Sequence, residues 1–192
     1  MAMKNVAVFC GSAAGNKDIY RNAAEDMASY FVEKGITMVN GGGSIGIMGI
    51  MADKMLELGG KCIGVIALDL KERELAHYGM TELITTPCMH SRKKIIYDIS
   101  DGFIALPGGY GTLDELFESI TWRQLHLIDK PVGILNVDGY FNPLIDMVDK
   151  MHRSGFMNST SKDLFIQDEN IEVLIEKLNA AVPILNNKWE SQ

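Results

Sequence analysis

The fold is decided by the stretch Gly102-Phe103-Ile104-Ala105-Leu106-Pro107-Gly108-Gly109-Tyr110-Gly111-Thr112-Leu113-Asp114-Glu115. Residues 102–106 form an uninterrupted apolar run, which predicts a buried strand. After residue 112 the apolar residues recur at helical spacing, which predicts a helix. The chain therefore leaves a strand, turns at the glycines and enters a helix whose first N–H groups lack helical acceptors. Such a helix start carries roughly half a positive charge, and it binds anions readily.

The same residues have a second interpretation that requires no ligand. Thr112 and Glu115 have the spacing of a capping box, in which the threonine hydroxyl bonds to the glutamate N–H and the glutamate reaches back. Capping boxes are a routine device at helix starts. The stretch therefore predicts either a phosphate site or an ordinary capped helix, and local physics does not decide between them.

Working outward, short apolar runs alternate with helical patterns along the chain. Strands are predicted at 5–10, 36–39, 62–66, 83–86, 102–106 and 130–136, with a short edge strand at 164–166 and a last helix at 169–181. This alternation predicts an α/β fold with three layers, a mostly parallel, doubly wound, Rossmann-like sheet with helices on both faces. At 192 residues, one nucleotide-binding domain over 1–192 is expected, with a polar tail at about 183–192.

Glycine-rich turns follow strands at 11–15, 41–46 and 107–111. In parallel sheets ligands bind beyond the carboxyl ends of the strands, so the turns are expected on one rim. Ser12 and Gly43 are candidate binding residues in the first two turns. The connection at 67–81 is longer and more charged than a tight turn requires, which favours a short helix or loop over the site.

Three cations, Arg92, Lys93 and Lys94, stand near the start of the helix predicted at 89–100. The macrodipole disfavours positive charge there, and an unexplained local conflict is where function is expected. Arg92 shares a face with isoleucines and is predicted to point inward. Lys94 is interpreted as a solvated side chain, and so is Glu118 on the following helix.

Composition excludes several classes of function. The net charge of −7, from 18 basic and 25 acidic residues, argues against a general nucleic-acid or anionic-membrane surface. Cys10 and Cys62 lie in apolar runs, which predicts buried thiols in a reducing compartment. We expect a cytoplasmic protein, because no signal-peptide pattern is present and no apolar run approaches the ~20 residues that span a bilayer. No metal-ligand cluster is apparent among the cysteines and histidines.

The motifs resemble those of one family. PGGYGTLDE at 107–115 resembles the PGGxGTxxE signature of the LOG family, the cytokinin riboside 5′-monophosphate phosphoribohydrolases. Residues 40–49 are similar to its GGGxxGLMG motif, and residues 89–93 are similar to MHxRK. Residues 120–122 and 130–140 also match, so that the resemblance covers nearly the whole chain. Asn40 departs from the tyrosine that many members carry there.

The resemblance implies specific roles. Arg92 and Glu115 correspond to the catalytic arginine and glutamate, and Lys93 is a neighbour in the pocket. Glu74 and Thr121 correspond to substrate contacts. The remaining predicted substrate-binding residues are Met89, Gly108, Gly109, Tyr110, Gly111, Thr112, Leu113 and Asp114, with Ser12 and Gly43 from the other turns.

The activity that the resemblance implies is hydrolysis of the N-glycosidic bond of an adenine-type nucleoside 5′-monophosphate. No metal and no cofactor is expected, and nothing singles out a Schiff-base lysine for pyridoxal-phosphate chemistry, so a lysine decarboxylase is rejected. The sequence does not choose between AMP and an N6-prenylated nucleotide, for which Met48, Met51 and Met89 are candidate pocket linings. The alternative function is a carrier that holds a phosphorylated cofactor on the same rim without turnover.

Assembly is the last expectation. The helix after Thr112 is predicted to bury the stripe formed by Leu113, Leu116, Phe117 and Ile120, and Trp122, Leu125 and Leu127 extend its apolar surface further. A helix that is apolar beyond one stripe usually has a second partner. Two-fold dimers are the commonest oligomers, and the resemblance implies the same. We expect a homodimer that completes the site.

Overall fold

The computed structural model describes residues 2–71, 73, 76–158 and 163–181. Its centre is a seven-stranded sheet in the order β4-β3-β2-β1-β5-β6-β7. The strands are β1 Asn5–Phe9, β2 Thr37–Asn40, β3 Cys62–Ala67, β4 Glu82–Thr86, β5 Gly102–Ala105, β6 Val132–Leu135 and β7 Ile166–Asp168. All six pairings that join them are parallel, which confirms the predicted parallel, doubly wound sheet.

Helices cover both faces of the sheet. They are α1 Asp18–Glu33, α2 Gly46–Glu57, α3 Leu68–Lys71, α4 Met89–Ile99, α5 Tyr110–Gln124, α6 Asn142–Arg153 and α7 Ile171–Ala180. One apolar cluster packs α1, α2 and α7 against the sheet, and a second packs α4, α5 and α6 against the opposite face. The expectation of three layers is therefore confirmed. No helix in the described part of the chain is long and apolar enough to cross a bilayer.

The strand order reverses between β1 and β5, and this reversal positions the site. β1 and β5 are neighbours, although about ninety residues of chain separate them. Beyond their carboxyl ends the Gly11 N–H donates to the Pro107 carbonyl at 3.1 Å. The three glycine-rich turns follow β1, β2 and β5, which are adjacent in the sheet. Ligands bind such sheets where the order reverses, so the turns stand at the expected place.

Several element boundaries differ from the predictions, and two of the differences are informative. The helix predicted after residue 112, whose apolar pattern continues to Leu127, ends at Gln124, and His126 beyond it adopts a left-handed φ of 56°. The edge strand begins at Ile166, because Leu164 is instead buried and its carbonyl accepts from Arg123 Nη1 at 2.9 Å. In the connection at 67–81, the predicted short helix is present as α3, which forms one turn, and Ala76 pairs with Gly43 of the second glycine turn.

Candidate active site

Arg92 is buried under the second glycine turn. Its side chain projects from the first turns of α4, is 6% exposed, and donates from Nε to the Val65 carbonyl at 2.9 Å and from Nη2 to the Gly41 carbonyl at 3.4 Å. The prediction that Arg92 points inward is confirmed. A Cβ added at Gly41 would lie 1.9 Å from Arg92 Nη2, so only glycine at this position leaves room for the guanidinium where it is observed.

Glu115 faces the same guanidinium from α5. Its Oε1 lies 4.0 Å from Arg92 Nη2, and the two side chains are 13% and 7% exposed, respectively. Charges removed from water in this way are costly unless they are paired and hydrogen-bonded. The two opposite charges therefore lie on the floor of the site, at the limit of direct contact.

The start of α5 carries an uncapped end. The N-cap residue is Gly109, which has no side chain to satisfy the first N–H groups. Thr112 lies inside the helix, is 3% exposed, and its Oγ1 has no hydrogen-bond partner among the described residues. The threonine half of the capping box is therefore not formed. Of the two interpretations, the uncapped helix start and the unpartnered buried hydroxyl favour an anion site.

A cavity of about 170 Å³ joins these groups. We call it the catalytic cavity. It is lined by Cys10, Ser12, Met48, Met89, Arg92, Gly109, Tyr110, Gly111, Thr112, Asp114 and Glu115. The structure thus brings together nine of the predicted site residues and Met48, a predicted pocket lining, and adds Cys10. The cavity therefore combines buried groups of opposite charge, an uncapped helix start and apolar methionine side chains.

Cys10 was not among the sequence-predicted site residues. It directly follows β1, is buried, and burial together with the nearby Glu115 carboxylate raises the pKa of its thiol well above the ordinary value. It is therefore a neutral wall of the cavity. Its place after a buried strand and before Gly11-Ser12 was the available signal, since such positions line the rim of a parallel sheet.

Lys93 is held by two carboxylates beside the cavity. Its Nζ lies 3.2 Å from Asp114 and 3.1 Å from Glu118. Burial disfavours the charged amine, but the hydrogen bonds to Glu118 and Asp114 outweigh it, so that the pKa of Lys93 is raised. The expectation that Glu118 is a solvated carboxylate is wrong, because Tyr97 also donates to its Oε2 at 3.0 Å and the side chain is only 23% exposed. Lys94 is solvated as predicted, with a side chain that is 62% exposed.

Leu113 and Thr121 lie outside the catalytic cavity. They line a shallow groove on the outer face of α5, together with Tyr110, Asp114, Phe117, Glu118 and Trp122. Phe117 is 37% exposed, so its predicted place in the core stripe is wrong, and the interior side of α5 is instead formed by Thr112, Leu116, Ser119 and Arg123. Within one chain, the geometry does not bring Leu113 or Thr121 to a ligand in the cavity.

The second glycine turn contributes through its backbone. Gly43 does not line the cavity. Its N–H donates to Met48 Sδ at 3.1 Å and so holds in place a side chain that lines the cavity. Met51 is fully buried in the core, and its predicted role as a pocket lining is wrong. Gly108 sits behind the cavity wall, next to Thr112 Oγ1. Glu74 lies outside the described residues.

A second cavity of about 280 Å³ lies on the other side of the loop that follows β5. It is lined by Gly11, Ser12, Ala13, Ala14, Gly15, Tyr20, Ile47, Pro107, Gly108, Gly109 and Tyr140, and we call it the tyrosine cavity. The rings of Tyr20 and Tyr140 meet edge to face, with centroids 5.9 Å apart. Sequence reasoning did not single out either tyrosine.

Comparison with known proteins tests the resemblance. A family model described as Possible lysine decarboxylase matches residues 48–178. The chain is 43% identical over 192 residues to the cytokinin riboside 5′-monophosphate phosphoribohydrolase LOG5 of Arabidopsis thaliana. The alignment covers 97% of this chain and 84% of that protein. The chain belongs to the LOG family. Another LOG relative, the probable cytokinin riboside 5′-monophosphate phosphoribohydrolase LOGL2 of Oryza sativa subsp. japonica, is 42% identical, covering 98% of this chain and 80% of that protein.

Solved structures share the fold of this LOG chain at low sequence identity. The molybdenum cofactor binding protein of Rippkaea orientalis superimposes with a TM-score of 0.68 at 20% identity, covering 94% of this chain and 98% of that chain. The molybdenum cofactor carrier protein of Chlamydomonas reinhardtii gives 0.69 at 19% identity, with 92% and 98% covered. At such identities the likeness establishes the Rossmann-like architecture alone, and the activity has to be argued from the residues of the site.

Proposed function

We propose that this LOG-family chain hydrolyses the N-glycosidic bond of an adenosine-type 5′-monophosphate, releasing the free base and ribose 5-phosphate. The observation that carries the proposal is the catalytic cavity, where Arg92 and Glu115 face each other at 4.0 Å beside an uncapped helix start. The LOG relatives, which are named for this reaction, support the same assignment.

The 5′-phosphate would bind at the start of α5. Backbone N–H groups of Gly109, Tyr110 and Gly111 supply donors, and the unpartnered Thr112 hydroxyl supplies another. The partial positive charge of the helix start adds an attraction for a phosphate dianion. Lys93 is already neutralised by Asp114 and Glu118, so its contribution is to hold Asp114 and the helix start in place.

Glu115 and Arg92 would act on the sugar and the base. Breaking an N-glycosidic bond builds positive charge on the ribose, which a nearby carboxylate stabilises, as in other glycoside hydrolyses. Glu115 stabilises that charge and orients or deprotonates the attacking water. Arg92, anchored by two carbonyls, positions the nucleotide and assists the departure of the base. The proposed reaction needs no cofactor and no lysine Schiff base, so we do not propose lysine decarboxylation.

The test is release of free base from AMP and from its N6-prenylated form. Glu115→Gln should lower kcat by about two to three orders of magnitude, the usual loss when one electrostatic group is removed. Asp98→Asn is a matched control, because Asp98 pairs with the exposed Lys94 on the outer face of α4. Full activity of Glu115→Gln would refute the assignment. Tight nucleotide binding by the wild-type chain without turnover would favour the carrier.

The substrate is proposed to be the N6-prenylated nucleotide rather than AMP. Met48, Met89 and the neutral Cys10 thiol give the catalytic cavity an apolar side, and methionines adapt to irregular apolar groups. A higher kcat/KM for the prenylated nucleotide is expected. Equal or faster hydrolysis of AMP would assign the chain to AMP nucleosidase chemistry instead.

The functional unit is proposed to be a homodimer formed through the groove on α5. Tyr110 and Phe117 are 95% and 37% exposed there, and Leu125 and Leu127 extend the apolar surface. Phe117→Glu should give a lower mass by light scattering and slower turnover, whereas Phe156→Glu should change neither, because Phe156 is also exposed but does not line the groove. We choose Phe117 rather than Trp122 because the Trp122 ring packs on Tyr97 within the chain, with ring centroids 4.5 Å apart, so a charge there would also disturb the fold. A fully active 21.2 kDa monomer would refute a shared site.

A further inference from the structure

Tyr140 contacts the third glycine-rich turn, residues 107–111, from the side opposite to the catalytic cavity. We call this turn the glycine loop. Its hydroxyl donates to the Gly108 carbonyl at 2.6 Å across 32 residues of sequence. The tyrosine follows β6 and a short 3₁₀ turn, and its ring packs on Tyr20 and on Phe141 at centroid distances of 5.9 and 5.0 Å. The ring is thus fixed from two sides, and its hydroxyl is aimed at one backbone oxygen.

The turn that carries Tyr140 is itself anchored. Asp138 has a left-handed φ of 53°, and its carboxylate pairs with Lys17 at 2.5 Å. Lys17 immediately precedes α1, and Tyr20 lies in the first turn of that helix. The turn after β6 and the start of α1 therefore brace one another across the tyrosine cavity.

The glycine loop is the wall between the two cavities. Gly108 lines the tyrosine cavity, Gly111 and Thr112 line the catalytic cavity, and Gly109 lines both. No peptide bond in the described chain is cis, and in a trans peptide the carbonyl and the following N–H point in opposite directions. Holding the Gly108 carbonyl toward Tyr140 therefore turns the Gly109 N–H away from Tyr140, toward the catalytic side.

In the described part of the chain, the Gly108 carbonyl accepts no other hydrogen bond that would orient the peptide between Gly108 and Gly109. Glycines reach conformations of either hand with little steric cost, so a peptide between two of them can rotate. The preceding carbonyl, of Pro107, is fixed by the Gly11 N–H at 3.1 Å. The Tyr140 hydroxyl supplies the corresponding restraint for the next carbonyl.

We propose that Tyr140 is a positioning residue for phosphate binding, because its hydroxyl holds the Gly108 carbonyl and thereby aims the Gly109 N–H at the 5′-phosphate. The inference rests on the proposed function in assigning the phosphate to the start of α5. Tyr140 touches neither the reacting bond nor the Arg92–Glu115 pair, so its effect is on binding of the phosphorylated end of the ligand.

The test is Tyr140→Phe, which removes the hydroxyl and keeps the ring. The dissociation constant for ribose 5-phosphate, measured by calorimetry, should rise about tenfold, the usual effect of losing one donor to a charged group. The affinity for adenosine, which lacks the phosphate, should stay within twofold of wild type. In turnover assays KM for the nucleotide should rise and kcat should stay within about threefold. Tyr30→Phe is the control, since Tyr30 is a partly buried tyrosine of α1 that lines neither cavity.

The outcomes separate the inference from the proposed function. Unchanged ribose 5-phosphate affinity in Tyr140→Phe would overturn the positioning role, even if hydrolysis is confirmed. An equal loss for adenosine, with a lower melting temperature, would also overturn it, because that pattern indicates a structural role alone. If the wild type releases no base but Tyr140→Phe still weakens ribose 5-phosphate selectively, the positioning role stands and the hydrolase assignment falls.

Discussion

Gly41→Ala should inactivate the enzyme by displacing Arg92 without altering the arginine. The new Cβ would lie 1.9 Å from Arg92 Nη2, and ordinary contact begins at 3.4 Å, so the guanidinium must move by 1.5 Å. That atom is the end of a flexible side chain, so the fold should survive. The displacement breaks the 3.4 Å bond to the Gly41 carbonyl and changes the 4.0 Å separation from Glu115.

A shift of about 1 Å in a catalytic group costs roughly a hundredfold in rate. We therefore expect kcat/KM of Gly41→Ala to fall about a hundredfold, which corresponds to about 2.7 kcal/mol of transition-state stabilisation. The assay is base release from the preferred nucleotide, followed by chromatography, with the melting temperature recorded for each variant. The melting temperature should change by only a few degrees, because the displaced group is a side-chain terminus.

The double variant Gly41→Ala/Arg92→Ala decides whether the effect passes through the arginine. If it does, the double variant should be no less active than Arg92→Ala alone, since residues that share one contact are not additive. Losses that multiply in the double variant would refute the reasoning, and so would a single variant that keeps more than a third of wild-type activity.

Three further predictions concern a hydroxyl, the thiols and a tyrosine. Thr112→Val removes a buried hydroxyl without a partner in the described chain, so the free energy of unfolding should stay equal or rise by up to about 1 kcal/mol while KM for the nucleotide rises; a fall in stability with unchanged KM would contradict this. Iodoacetamide at pH 8 should modify Cys88 first, because it is exposed and a hydrogen bond with Ser91 lowers its pKa, whereas burial raises the pKa of Cys62 to about 11; peptide mass mapping that finds equal rates would refute the order. Tyr97→Phe should lower the free energy of unfolding by about 1 kcal/mol in urea, since the hydroxyl bonds to Glu118 and to the Glu115 carbonyl; an unchanged midpoint would show that this network contributes nothing.

Much of the candidate site was predictable because it is encoded within single elements. The inward direction of Arg92 follows from its position on an amphipathic helix, and the proposed anion site follows from a strand that breaks at glycines before a helix. The environment of Glu118 was not predictable, since Tyr97 and Lys93 reach it from another helix. Phe117 was assigned to the core from spacing alone, which does not say which side of α5 faces the sheet.

The sequence by itself determined the alternation of strands and helices, the parallel sheet and the place of the glycine turns, because these depend on periodicity and on turn chemistry over a few neighbouring residues. Only the tertiary structure decided which groups meet across long separations. The strand order places Gly41 against Arg92, 51 residues away, and Tyr140 against Gly108, 32 residues away. Such contacts depend on how whole elements pack, and local spacing carries no information about them. The same packing leaves the Thr112 hydroxyl without a partner in the described chain, so that the threonine half of the capping box is not formed.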